Sequence, residues 1–179
     1  MTWLERQWYR WTPWHAILLP LSLLFWMLST LRRALYRLGW LASVKLAAPV
    51  IVVGNIAVGG TGKTPLVIAL IALLKEQGYR PGIISRGYRG KSTLPRPVRS
   101  DSDPAEVGDE PVLLAMKTAC PVWIGQNRVE AGMALLGSHP EVNVIVSDDG
   151  LQHYRMQRDV EVVVIDAERW FGNGQLLPA

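Results

Sequence analysis

The chain has 179 residues, enough for one domain with a real core plus an appendage. Its net charge of +4 is unevenly placed: residues 1–48 hold six Lys/Arg and one acid, and the remainder is close to neutral, which excludes a nucleic-acid-binding surface spread over the fold. Cys120 is the sole cysteine, which excludes an intrachain disulfide and suits a reducing compartment.

The first feature along the chain is Ala16 to Leu31 (AILLPLSLLFWMLSTL), sixteen residues without a charge. As a helix this run would be about 24 Å long, short of the ~30 Å hydrocarbon core of a bilayer. Pro20 predicts a kink. Trp3, Trp8, Trp11 and Trp14 before the run, and Tyr36 and Trp40 after it, read as interfacial anchors. Arg32, Arg33, Arg37 and Lys45 follow it, against Arg6, Arg10 and Glu5 before it, a bias that puts its C-terminal side in the cytosol. A cleaved signal peptide fits poorly, because the apolar run leads into arginines and not into a small-residue cleavage site. A buried hairpin of two core helices is the alternative. The Trp and Arg flanks favour membrane attachment, spanning or lying in one leaflet, so residues 1–48 are read as a membrane-associated helical segment.

The rest of the chain is organised around Pro49 to Pro65. Val50 to Val53 is a β-branched run that predicts a short buried strand. Ala57-x-x-x-x-Gly62-Lys63-Thr64 is a P-loop with Ala in place of the usual first Gly. Gly59, Gly60 and Gly62 let the backbone curl so that successive N–H groups face phosphate oxygens. The cradle is thus Ala57, Val58, Gly59, Gly60, Thr61, Gly62, Lys63 and Thr64. Lys63 is a point charge for the β- and γ-phosphates, the Thr64 hydroxyl is a Mg²⁺ ligand, and Pro65 stands in the first helical turn, where no N–H is missed. Deviant P-loops of DNA-partitioning ATPases carry a Lys directly before the Gly pair. Here that position is Val58.

Beyond the P-loop, a helix is predicted to about Gln77, with Gly78 as its C′ residue. Pro81 to Ser85 reads as a second strand, Arg86 to Gly90 as a loop, and Lys91 to Pro104 as a long exposed loop. A helix follows from Ala105 or Gly108 to Thr118, then a strand from Pro121 to Ile124 and a helix from Asn127 to Leu136, ended by Gly137. Val142 to Val146 and Val160 to Ile165 are further strands. Strands alternating with helices predict an α/β fold with a mostly parallel sheet and flanking helices.

An apolar strand that ends in acid is what a P-loop fold sets opposite its Thr to hold Mg²⁺. Asp148 holds that position, with Asp149 beside it, and Asp166 ends the last strand less convincingly. Asp109, at the start of a helix, is either an ordinary N-terminal helix acid or a general base for an attacking hydroxyl. Arg86, Arg89 and Arg128 are candidates for phosphate contacts against a default of surface arginine. His153 is either structural or a partner for carboxylate or phosphate.

Taken together, these stretches resemble the tetraacyldisaccharide 4′-kinases, the lipid A kinases of Gram-negative bacteria. The matching pieces are Pro49 to Pro65, Ser85-Arg-Gly-Tyr-Arg-Gly90, Gly108-Asp-Glu-Pro111, Ser147-Asp-Asp-Gly-Leu-Gln-His153 and Phe171 to Ala179, with the Trp-rich apolar N-terminus. The resemblance implies a P-loop kinase that uses ATP and Mg²⁺ to phosphorylate the 4′-hydroxyl of tetraacyldisaccharide 1-phosphate, a glycolipid. It implies work at the cytosolic face of the bacterial inner membrane. It also implies Lys63 and Asp149 at the γ-phosphate, Asp109 as base, and Thr64 and Asp148 at the metal. Family members continue past Leu-Leu-Pro-Ala179, so residues 49–179 are expected to be an incomplete kinase domain, with an Arg-Glu pair, a histidine partner for the base and a second lobe lying further on. The rival expectations are a membrane-associated P-loop ATPase or GTPase acting on a protein partner, and a non-catalytic nucleotide-binding module.

Overall fold

The computed structural model describes residues 14–55, 62–87 and 94–165. The chain divides into two compact units, Met1–Ala42 with Ile165–Ala179, and Ser43–Val164. In the first, helix α1 (Trp14–Arg37) has 24 residues and runs on through Pro20. It is longer than the uncharged run, because Arg32, Arg33 and Arg37 are good helix formers and continue its last turns. At about 1.5 Å per residue the whole helix reaches ~36 Å, its uncharged run unchanged and its charged end continuing beyond it. The stretch Leu18–Arg37 is long and apolar enough to cross a membrane, and only 6% of its most apolar window is buried. Leu23, Phe25, Met27 and Leu31 are all at least half exposed. Among the described residues these large apolar side chains face outward.

The second unit is an α/β sandwich. Strands β1 (Val50–Asn55), β2 (Pro81–Ser85), β3 (Arg96–Val98), β4 (Val122–Ile124), β5 (Val144–Asp148) and β6 (Val160–Val164) form one sheet in the order β3-β4-β2-β5-β1-β6. All pairings are parallel except that of β3 with β4. Helices α2 (Lys63–Glu76), α3 (Pro104–Val107), α4 (Asp109–Thr118) and α5 (Arg128–Ser138) complete it. The β-branched runs alternate between two cores. Val50 and Val52, with Ile84 and Ile145, join Val129 and Leu135 of α5. Val53, Ile83 and Val146 join Val67 and Ile71 of α2 and Leu114 of α4. A strand buried on both faces has no polar period, which is why these runs read as continuous apolar stretches.

Two local expectations are corrected, and one pair of alternatives is decided. The loop expected from Lys91 to Pro104 contains β3, and Pro104 opens α3. Three residues are too few to show a period, and as an edge strand β3 tolerates Pro97 in its middle. Of the two starts expected for the helix before Thr118, Gly108 is the one found: α4 begins just after it, and Pro104–Val107 is a separate short helix because the chain turns at Gly108 (φ 93°). Gly137 does not end α5, which runs to Ser138 and closes with the His139 N–H donating to Leu135 O.

Gly54 in β1 is required by close approach: a Cβ there would sit 2.5 Å from Leu151 Cγ. The Gly54→Ala variant should therefore be destabilised by about 1–3 kcal/mol, the usual cost of overpacking a core. A urea melt checks this; an unchanged midpoint would mean that Leu151 moves aside freely.

Candidate active site

Parallel pairing sets the carboxyl ends of β1, β2, β4 and β5 along one border of the sheet, and the candidate residues collect there. Gly62 caps α2 with φ 79°, a left-handed conformation that favours glycine. The helix starts at Lys63 immediately behind it, so the first free N–H groups of α2 and the lysine side chain issue from one turn. Lys63 Nζ donates to Asp149 Oδ1 at 2.9 Å. Thr64, the next residue, is half-buried in the same turn. Ala57, Val58, Gly59, Gly60 and Thr61 lie outside the described residues, as do Arg89 and Asp166.

Asp148 is the last residue of β5, paired in register with Val53 of β1, and is only 2% exposed. The Ser85 hydroxyl, at the end of β2, donates to Asp148 Oδ2 at 3.4 Å, while the buried Oδ1 has no hydrogen-bond partner. Burial pushes the carboxyl up to about 6; the charges of Glu110 and Asp149 push the same way, and Lys63 and Arg128 oppose them. A buried carboxylate oxygen without a donor is a costly arrangement that a cation relieves. Among the described residues no three His, Cys, Asp or Glu side chains gather as a metal cage. One buried carboxylate with a nearby hydroxyl helix turn suits Mg²⁺, which takes few protein ligands and completes its shell with water and phosphate oxygens. Asp149 follows in a left-handed conformation (φ 53°) and is exposed, the turn that lets its side chain meet Lys63.

Asp109 opens α4 as an exposed helix-start acid. Its neighbour Glu110 bears electrostatically on Asp148, a residue whose role sequence reasoning passed over although it stood in the quoted Gly-Asp-Glu-Pro string. Ser85 was also missed as a site residue; the only sequence signal was a polar residue closing an otherwise apolar strand. Arg128 departs from the surface-arginine default: it is 1% exposed, donating to Gly125 O at 2.7 Å and to Asp148 O at 3.4 Å. Burial lowers its pKa to about 10 against the pull of Asp148 and Asp149, so it stays charged at neutral pH. His153 is half-buried, and burial together with the charges of Arg128 and Arg86 lowers it to about 4, leaving it uncharged at neutral pH. Arg86 itself is exposed.

A model of the family described as Tetraacyldisaccharide-1-P 4'-kinase matches residues 14–179. The chain belongs to that family. Relatives carrying the name tetraacyldisaccharide 4'-kinase include one from Methylobacillus flagellatus, 59% identical over 99% of this chain and 53% of the relative. Another, from Idiomarina loihiensis, is 52% identical over 99% of this chain and 54% of the relative. The chain thus spans about half the length of these curated relatives. Among solved structures, the "apo" form of LpxK from Aquifex aeolicus in complex with ATP matches with a TM-score of 0.72 and 37% identity, over 81% of this chain and 47% of that one. The fold is therefore that of the family's P-loop kinases.

The raised pKa of Asp148 has a measurable consequence. The folded state holds a proton that the unfolded chain gives up near pH 4, so this residue's contribution to stability is full below about 4, falls as pH rises to about 6, and stays lost above it. Asp148→Asn removes that loss. Without added divalent cation the variant should melt several degrees above the parent protein at pH 8, a gain on the order of 1–3 kcal/mol, and alongside it at pH 4. Thermal melts at the two pH values check this, and equal melting at pH 8 would show that Asp148 is not held at a cost.

Proposed function

We propose that this chain is the nucleotide-binding part of an ATP-dependent kinase that phosphorylates the 4′-hydroxyl of tetraacyldisaccharide 1-phosphate in lipid A biosynthesis. The observation that carries the reading is the 2.9 Å contact of Lys63 with Asp149, which joins the first turn of the P-loop helix to the acidic end of β5. Beside that contact stands the buried Asp148 carboxylate with an oxygen left over. The family name carried by the relatives supplies the acceptor; the P-loop chemistry supplies the donor.

In this reading the backbone N–H groups of Ala57 to Thr64 hold the ATP phosphates. The Lys63 ammonium has three donors, so it can keep Asp149 while reaching a β- or γ-phosphate oxygen. Thr64 and Asp148 would hold Mg²⁺, which when bound neutralises phosphate charge. Asp109 takes the proton as the sugar oxygen bonds to the γ-phosphorus and the bond to the bridging oxygen of ADP breaks. Asp109 is exposed at the start of α4, so an acceptor hydroxyl can approach it. Most of the rate enhancement is positioning and charge neutralisation.

The acceptor is a lipid, and α1 suits it. Its exposed apolar face and the arginines of its last turns favour a helix seated in the bacterial inner membrane with its C-terminal end at the cytosolic side, where ATP is available.

In the whole protein, Lys63→Ala should lower transfer to the lipid acceptor by roughly 10²-fold or more, the scale for removing a positioned charge. Asp109→Asn should lower kcat with little change in ATP affinity; if Asp109→Asn is near normal and Glu110→Gln is not, the base is Glu110. Transfer assays with calorimetric ATP titrations distinguish these cases.

Deleting residues 14–37 should release the whole protein from membranes and raise KM for the lipid while ATP affinity is retained. Fractionation in detergent-free buffer tests this. A protein that is soluble with α1 intact would end the membrane assignment.

A further inference from the structure

We propose that Arg128 is a positioning residue that ties the Asp148–Asp149 turn to the loop between β4 and α5 and so sets where the two carboxylates stand relative to Lys63. The inference rests on the phosphoryl-transfer reading above. β4 and β5 are not neighbours, because β2 lies between them. Arg128 crosses that gap. One guanidinium nitrogen donates to Gly125 O just after β4, and another donates to Asp148 O at the end of β5. The strand it passes over supplies Ser85, which holds the Asp148 carboxylate from the side. Main chain and side chain of Asp148 are thus fixed from different elements, and Asp149 leaves this anchored residue in its left-handed conformation to meet Lys63.

The arginine is itself fixed. It is the first residue of α5, whose start is capped by Asn127: its side-chain oxygen accepts from Val129 N at 3.1 Å, and its amide donates to Glu130 at 2.6 Å. The guanidinium is fully buried, yet its Nε has no hydrogen-bond partner. A buried charge with a donor unused is a poor way to gain stability, and an apolar side chain of similar length often does better. An arrangement that breaks a local rule without a gain in stability marks a functional demand on the position. The planar fork can span two carbonyls at once, which a lysine ammonium on its flexible stem does less well.

The experiment uses the whole protein and the variants Arg128→Met and Arg128→Lys. Three quantities are read: the melting temperature, the gain in ATP affinity on adding Mg²⁺ by calorimetry, and kcat and KM for the lipid acceptor. Arg128→Met is expected to melt within a few degrees of the parent protein or above it. It should lose most of the Mg²⁺-dependent gain in ATP affinity, with kcat down 10- to 100-fold and lipid KM unchanged. Arg128→Lys should recover only part of either. Wild-type Mg²⁺ response and kcat in Arg128→Met would overturn the proposal. Unfolding of both variants would also overturn it, since the residue would then be a brace for the fold. Lys63→Ala separates this outcome from failure of the kinase reading. If Lys63→Ala loses transfer and the Arg128 variants do not, only the positioning role falls. If the parent protein transfers nothing to the lipid while Arg128→Met still loses its Mg²⁺ response, the kinase reading falls and the positioning role stands.

Discussion

The direction of the strands governs everything that happens at the site. Five of the six strands run parallel, so their carboxyl ends open on the same border. Residues distant in sequence are delivered there by the end of a strand and not by a long loop. Gly62 and Lys63 follow β1, Ser85 closes β2, Arg128 follows β4, and Asp148 closes β5. Open α/β sheets bind ligands at such a border because loops and helix N-termini converge where no side chain fills the space. The outer antiparallel strand β3 contributes none of these residues.

Electrostatics at that border is a balance of buried charges of both signs. Asp148 and Arg128 are each nearly inaccessible, and each is pushed toward its neutral form by loss of water. Each also supports the charge of the other, and Lys63 and Asp149 add a second, more exposed pair beside them. His153 sits in the same field as a neutral ring, which leaves it able to accept as well as donate a hydrogen bond. Such an arrangement is responsive: bringing in a cation or an anion changes which of these charges is compensated.

What could be read from the sequence was what repeats or what has a fixed spacing. The β-branched runs located β1, β2 and β5, because a strand buried on both faces needs little besides Val and Ile. Pro65, read as a first-turn proline, and Gly78, read as the C′ residue, marked the two ends of α2. Elements that depend on distant partners were not legible. Three residues of β3 have no pattern, and only pairing with β4 makes them a strand. Gly137 reads as a stop signal, but α5 has packing enough to carry it for another residue. At the site, Asp148 was visible as a strand-end acid, whereas Arg128 resembled any other basic residue at a helix start. Its burial comes from β4 and β5 closing around β2, which no local window contains.

The two borders of the sheet are not equivalent. At one, β3 is short and carries Pro97, which has no N–H to offer a further strand. At the other, β6 has five residues, and among the described residues its only partner is β1. Val160 and Val163 of β6 are 48% and 42% exposed, unusual for a parallel strand, which is normally covered on both faces. A strand added beside β6 would find a full row of backbone groups to pair with, which β3 with its proline does not offer.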